Sequence, residues 1–476
     1  MDDLYETIQK AEAGNVKELW RVAWRIVWKE RYRLIERDWL EWAVAYFEKA
    51  ALHGLGDTML DIGAMYSTGR GVPQDRDKAL YWYNQAAAIL HPKAFRCLGY
   101  ALNVPFGYLD PNEEKYEPDY RTAFGYFFKG AMLNEPNSIY KIGDMFLTGK
   151  YVDVDQVFAL NLYHRSYDYI ESDEDDSYAS VCLRIGEYLY RWPEETGRIL
   201  DEARIMLKKA IEGFEIRIAR GDDPHFTREG YNRAKYLLAR IESGKKADKS
   251  DGADHDRGSD AYELFISSET MQYPEPKYPI AELDQLKIEN PVVKIFDEKP
   301  FNDLLVAAEA GDKEAMYYIA FYCFNRFEAK PNEPNMIDFA LYYYHKAIRH
   351  GRKSAMYNLA SAYYYGEKGI PVDRNKAYLL YLHSGEPLAQ GELGVYYARG
   401  EIVERDYEKA FKHFAKCALS ETEFRYGSLT NLTRMYREGI FVQKDEKFAA
   451  YLEDLSAKLK KQADITLEGI GDNTKS

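Results

Sequence analysis

Cysteine is scarce and never paired along the chain. The 476 residues hold four, Cys97, Cys182, Cys323 and Cys417, with no CxxC pair, which argues against a disulfide framework and against a zinc site of that type. A basic surplus is also missing. Asp and Glu number 78 against 64 Lys and Arg, a formal charge of -14, so a phosphate backbone is repelled and no nucleic-acid partner is expected. No apolar run reaches the ~18 residues of a membrane span, and the opening Met1-Asp2-Asp3-Leu4-Tyr5-Glu6 has no apolar core of a secretory signal. The expectation is a cytoplasmic protein with reduced thiols and no membrane partner.

Catalytic signatures are missing too. There is no GxSxG, HExxH, Walker loop or dinucleotide glycine cluster, and the nine histidines are spread without metal spacing. No catalytic residue, metal site or cofactor is expected, and the chain reads as non-enzymatic. The acidic run from Glu171 to Asp176 reads as a solvated loop rather than a chelating one. The segment Asp248-Lys249-Ser250-Asp251-Gly252 is shaped like the start of a calcium loop, but the position that would need a bidentate Glu is Ser259. It reads as linker.

What the chain has in abundance is aromatic residues, 15% in all, with 42 Tyr beside 22 Phe and 7 Trp. Flat rings whose hydroxyls can still reach water suit helix–helix seams and exposed binding faces. A phrase also recurs: a branched residue, Asp three later, Ala four after that. It appears as Val72/Asp75/Ala79, Val152/Asp155/Ala159, Ile370/Asp373/Ala377, Val403/Asp406/Ala410 and Val442/Asp445/Ala449, each preceded by a glycine, Gly69, Gly149, Gly366, Gly400 or Gly439. The physical reading is helix, turn, helix. Glycine adopts the left-handed cap that ends one helix, and Asp accepts from the free N–H groups that open the next.

Beyond the Ala, rings follow at three and four positions and small residues at seven and eight: Ala79, Trp82, Tyr83, Ala86, Ala87, with further copies starting at Ala43, Ala123 and Ala340. That spacing is one stripe of a helix, and it should face the previous helix, with small residues allowing close approach. Two of these helices end at His53-Gly54 and His350-Gly351, histidines read as structural. The helix ahead of each turn carries a branched residue, a small residue and a ring, as in Ile62-Gly63-Tyr66, Leu359-Ala360-Tyr363 and Leu393-Gly394-Tyr397. Gly63, Gly99, Gly143 and Gly186 recur at about 36, 44 and 43 residues, the range of two-helix repeats.

The string from Gly63 to Ala87 resembles the Sel1-like repeat (SLR) family, relatives of the tetratricopeptide repeat. The resemblance spans roughly four fifths of the chain in about nine units. It is looser over 14–54 and over 178–213, where Trp192-Pro193 replaces the glycine turn. It implies an all-α, right-handed α-solenoid of helix-turn-helix repeats, and the missing cysteine pairs exclude the cysteine-rich secreted branch. Ala11-Glu12-Ala13-Gly14-Asn15 and Ala308-Glu309-Ala310-Gly311-Asp312 begin two blocks alike. The expected organisation is a block over 1–242, a disordered polar linker over 243–260, a proline-bearing strap or connector over 261–298, a second block over 299–462 and a flexible tail over 463–476.

By the geometry of that family, the first helix of each unit lines a concave face. Carried over unit by unit, the inward set is Trp20, Trp24, Tyr100, Tyr140, Asp144, Tyr190, Tyr317, Phe321, Tyr357, Tyr364, Arg434 and Arg437. Rings supply contact area at low entropy cost, so the set suits a partner protein or extended peptide; the competing expectation is that many of these rings pack between units. The resemblance implies a protein–protein interaction scaffold or adaptor. The alternatives are an antitoxin-type bacterial immunity protein, whose acidity would suit a basic cognate toxin, and a regulatory subunit of a larger assembly.

Overall fold

The structure is a computed structural model of the chain and describes residues 10, 15–24, 37–70, 72–103, 119–191, 199–221, 224–244, 299–326 and 335–473. The calcium-like segment at 248–252, the strap at 261–298, most of the 243–260 linker, the Trp192-Pro193 turn and residues 11–14 lie outside the described residues. The chain divides into two compact units, Met1–Met271 and Gln272–Ser476.

Every regular element among the described residues is helical. In the first unit these are α1 (Val16–Trp24), α2 (Arg37–Leu52), α3 (Gly56–Thr68), α4 (Arg76–Ala87), α5 (Pro92–Asn103), α6 (Tyr120–Met132), α7 (Pro136–Thr148), α8 (Gln156–Asp168), α9 (Tyr178–Arg191), α10 (Ile199–Arg220) and α11 (Pro224–Glu242). The second unit holds α12 (Lys299–Glu309), α13 (Lys313–Arg326), α14 (Asn335–Arg349), α15 (Lys353–Tyr365), α16 (Arg374–Ser384), α17 (Pro387–Arg399), α18 (Tyr407–Leu419), α19 (Tyr426–Glu438) and α20 (Glu446–Asn473). The last helix runs on into the stretch expected as a tail. Neighbours in sequence are neighbours in space: α1/α2, α3/α4, α5/α6, α7/α8, α9/α10, α13/α14, α15/α16, α17/α18 and α19/α20 pack as pairs, and within each unit each pair packs on the next. The fold is a solenoid of helical repeats.

The turn chemistry follows from the recurring Gly and Asp. Gly69, Gly149, Gly366, Gly400 and Gly439 all sit near φ +70°, as left-handed caps that other residues reach only with strain. Each Asp then opens the next helix, with the side chains of Asp75, Asp155, Asp373, Asp406 and Asp445 accepting from the backbone N–H three residues on, at 2.9 to 3.0 Å. One such cap is worth ~0.5 to 2 kcal/mol. The same Asp residues donate their own N–H to the backbone carbonyl of an aromatic residue near the end of the first helix: Asp75 to Tyr66, Asp155 to Phe146, Asp373 to Tyr363, Asp406 to Tyr397 and Asp445 to Tyr436. The two helices are therefore tied by backbone at every such turn.

Ring against glycine makes the seam inside a pair. A Cβ added at Gly143 would meet the Tyr163 ring at 2.6 Å, and one at Gly394 would meet Phe414 at 2.5 Å, so the helices approach closer there than any side chain would permit. Tyr163, Tyr343, Tyr344, Tyr381, Tyr396 and Tyr436 are among the largest fully buried side chains. Part of the tyrosine surplus is thus core. Buried hydroxyls find partners, as where Tyr396 donates to the Arg374 carbonyl at 2.8 Å. The acidic loop near Glu171–Asp176 is tied back to α10, since Arg220 donates to the Glu174 carbonyl and Arg217 to that of Asp176.

Candidate functional site

Gly143 on α7, Gly186 on α9 and Gly394 on α17 each lie against a side chain of the partner helix, and Ala320 on α13 and Ala360 on α15 are buried at the matching place. The residues two before and one after this small residue flank that seam. On α7 and α9 these positions carry charges, Lys141 and Asp144, Arg184 and Glu187, that pair within and across repeats. Arg184, two before Gly186, donates from Nε to Oδ1 of Asp144, one after Gly143, at 2.8 Å. Asp144 also accepts from the Tyr163 hydroxyl at 2.9 Å and lies 3.3 Å from the Lys141 ammonium. Burial pushes its carboxyl up, but Arg184, Lys141 and the hydrogen bonds from Arg184 and Tyr163 outweigh that and hold it at about 2. One repeat on, Glu187 takes the equivalent place and pairs with Arg233 at 2.6 Å and Arg191 at 3.1 Å.

Several residues assigned to the inward face from sequence belong to this ladder. Tyr100 donates to Asn137 at 2.7 Å and its hydroxyl meets that of Tyr140 at 2.9 Å. The Lys141 ammonium lies over both rings, 5.3 Å from Tyr100 and 5.0 Å from Tyr140. Tyr190, buried, accepts from Arg240 at 3.3 Å. Trp20 and Trp24 are partly buried, with ring centroids 6.3 Å apart, and the Trp20 indole N–H donates to Asp61 on α3 at 2.7 Å. Arg184, Glu187 and Arg233 were not singled out from sequence. Their signal was present as opposite charges about one repeat apart at matching helix positions.

In the second unit the face is aromatic and more open. Tyr317 stacks on Phe321 with centroids 6.0 Å apart, accepts from Asn358 at 3.0 Å and lies under the Arg352 guanidinium. Phe321 is 46% exposed and its neighbour Tyr318 54%. Tyr357 is half-buried, 5.7 Å from Tyr381. Tyr364 is buried, edge-on to Tyr396 at 5.5 Å and accepting from Arg399 at 2.9 Å. The adjacent Tyr365, passed over in the sequence, is 59% exposed. Arg434 is exposed, whereas Arg437 is drawn to Glu446 and Glu453 of α20 at 3.1 and 2.8 Å.

At the position of Arg184 in its own helix, α17 carries Glu392. This side chain is half-buried, and its carboxylate makes no hydrogen bond or ion pair among the described residues. Burial raises its pKa, opposed only by Arg399, and Arg399 is itself engaged by Tyr364 and Glu401. The phenols of Tyr357, Tyr365, Tyr381 and Tyr396 all feel its charge.

Elsewhere the reactive groups are shut away. Cys182, Cys323 and Cys417 are buried, and burial pushes their thiols up to about 12, 12 and 11. Among the described residues no group of three or more His, Cys, Asp or Glu side chains is placed to hold a metal, and no helix is long and apolar enough to cross a membrane.

A family model for the Sel1 repeat matches residues 35–55, 56–88, 110–135, 136–168, 313–351, 353–382, 387–419 and 420–459, more than half of the chain. The α9/α10 pair lies outside those ranges. Among solved structures, a protective antigen present in uropathogenic Escherichia coli strains and displaying an SLR fold is 20% identical over 97% of this chain and 93% of its own, with a TM-score of 0.36. A Sel1 repeat protein from Oxalobacter formigenes is 18% identical over 47% of this chain and 89% of its own, with a TM-score of 0.35. No curated relative is matched.

Proposed function

We propose, because the chain belongs to the Sel1 repeat family, whose members are generally protein-interaction scaffolds, that it holds a partner protein or peptide on the aromatic first-helix face of its second unit and catalyses no reaction itself. The observation that carries this reading is the row of exposed rings there. Tyr318, Phe321 and Tyr365 stand 54%, 46% and 59% exposed, although burying such rings stabilises a fold by ~1.5 to 3 kcal/mol each. Rings left in water on one face are the usual anchors of an interface.

The proposed contacts are Tyr317, Phe321, Tyr357 and Arg434, joined by Tyr318 and Tyr365. In the first unit, Trp20 and Trp24 keep partial exposure. The remaining residues carried over from the family, Tyr100, Tyr140, Asp144, Tyr190, Tyr364 and Arg437, are engaged by neighbouring helices, which favours a part in holding repeats together.

The test is cross-linking and co-purification of the full chain from host-cell extract, compared with Phe321→Ser and Tyr365→Ser. Both exposed-ring variants should keep the melting temperature while losing at least tenfold in partner recovery, roughly the ~1.4 kcal/mol and upward of an interface anchor. Equal recovery by wild type and both variants overturns the aromatic face as the binding surface.

A further inference from the structure

The ion-pair ladder of the first unit and the isolated Glu392 of the second occupy matching repeat positions. Where α9 places Arg184 against Asp144 of the preceding first helix, α17 places Glu392, and the residue at the Asp144 position on the preceding first helix is Ser361. A hydroxyl supplies no positive charge. Glu392 is thus a half-buried carboxylate with no cation in contact, a place where an incoming cation would complete a pair.

The molecule holds its own example of such a site filled. Lys141 lies within 5.3 Å of the Tyr100 ring centroid, 5.0 Å of that of Tyr140 and 3.3 Å of the Asp144 carboxylate. That is an ammonium held by two phenol faces and one acid. On α15 the rings recur without the cation, Tyr357 and Tyr365 standing four residues before and after Ser361, the place that faces Glu392 in this register. Tyr357 and Tyr381 lie 5.7 Å apart, Tyr381 and Tyr396 6.4 Å, and Tyr365 stands 59% exposed at the edge. Arg399, the one cation whose charge reaches Glu392 among the described residues, is held at 2.9 Å by the Tyr364 hydroxyl and at 3.5 Å by Glu401.

We infer that Glu392, with the Tyr357 and Tyr365 rings beside it, receives a lysine or arginine side chain from an extended segment of the partner held on this face. The inference rests on the scaffold reading above and names the chemistry of its partner. Cation–π attraction to the rings and a desolvated ion pair to the acid act together on a basic side chain. A net charge of -14 favours the approach of such a segment.

The experiment is selection of a random peptide library on the full wild-type chain and on Glu392→Gln. Wild type is expected to enrich peptides with a basic residue at one register. The best of them should bind Glu392→Gln about tenfold more weakly or worse, as for a desolvated interfacial charge pair, with the circular dichroism melt unchanged. Replacing its basic residue by norleucine should cost a similar factor on wild type and almost nothing further on Glu392→Gln. Enriched peptides without a basic preference, or basic peptides that bind both chains alike, overturn the role of Glu392 and leave the scaffold reading standing. Failure to enrich any peptide that Phe321→Ser weakens overturns the scaffold reading, and this inference with it.

Discussion

Arg184 reaches across a whole repeat to Asp144, its Nε 2.8 Å from Oδ1, and joins α9 to α7 through their side chains. Both side chains are mostly out of water, with 20% and 10% of their surface exposed. Removing Asp144 leaves the Arg184 guanidinium without its acid, and an uncompensated charge of that kind costs ~3 to 5 kcal/mol in buried pairs. Asp144→Asn is expected to destabilise the first unit by that order in urea melts, and Arg184→Met by less, because Lys141 and the Tyr163 hydroxyl still hold the Asp144 carboxylate. The double variant should recover part of the loss, since the Arg184 guanidinium is then no longer left without its acid.

The same pair gives the first unit an acid limb. The Asp144 carboxyl is held at about 2, below its ordinary 3.8. A depressed carboxylate contributes stability that is complete above the unfolded value and lost as pH falls through the folded one. The wild type should therefore lose about 2 kcal/mol between roughly pH 4 and pH 2 from this group. Asp144→Asn should lack that part of the decline, and an identical acid profile in the two chains would refute the assignment.

Glycine-to-alanine changes should split by place. Alanine in a helix interior is favoured by about 1 kcal/mol over glycine. Gly125 of α6 has nothing within 4 Å of an added Cβ, so Gly125→Ala is expected to raise the melting temperature. At Gly394 the added Cβ would meet Phe414 at 2.5 Å, and overpacking of that kind costs ~1 to 3 kcal/mol. Gly394→Ala should lower the melting temperature. Two changes of the same sign would mean that the ring seam does not set helix spacing.

Asp61 is expected to make the first unit less stable as pH rises. Burial pushes its carboxyl up from 3.8 to about 7, with the Trp20 hydrogen bond and Lys93 opposing and Asp57 adding. A carboxyl with a raised folded pKa contributes fully below the unfolded value and loses that stability as pH rises through the folded one, here between about 4 and 7. Asp61→Asn keeps an acceptor for the Trp20 N–H without a charge. It should stabilise the protein more at about pH 8 than at about pH 5, by ~2 to 3 kcal/mol. A pH-independent gain would count against the raised pKa.

The turns, the caps and the pairing of helices were determined by the sequence alone, because they depend on groups a few residues apart. A glycine needs φ near +70° and an aspartate needs the N–H three residues on, and both conditions hold wherever the phrase occurs. The repeat family was legible for the same reason. Which face each ring takes was decided only by tertiary structure. Tyr364 and Tyr365 are adjacent in sequence, yet one is 8% and the other 59% exposed, because Tyr396, a repeat away on α17, packs against the first. Asp144 and Glu392 likewise look alike as single acidic residues near a glycine. One meets an arginine from the following repeat and the other meets none, a difference set by the opposing helix some forty residues away, as in the Asp144–Arg184 separation of 40. Local hydrogen bonding can be read along a chain, but burial and ion pairing belong to surfaces that exist only once the repeats are stacked.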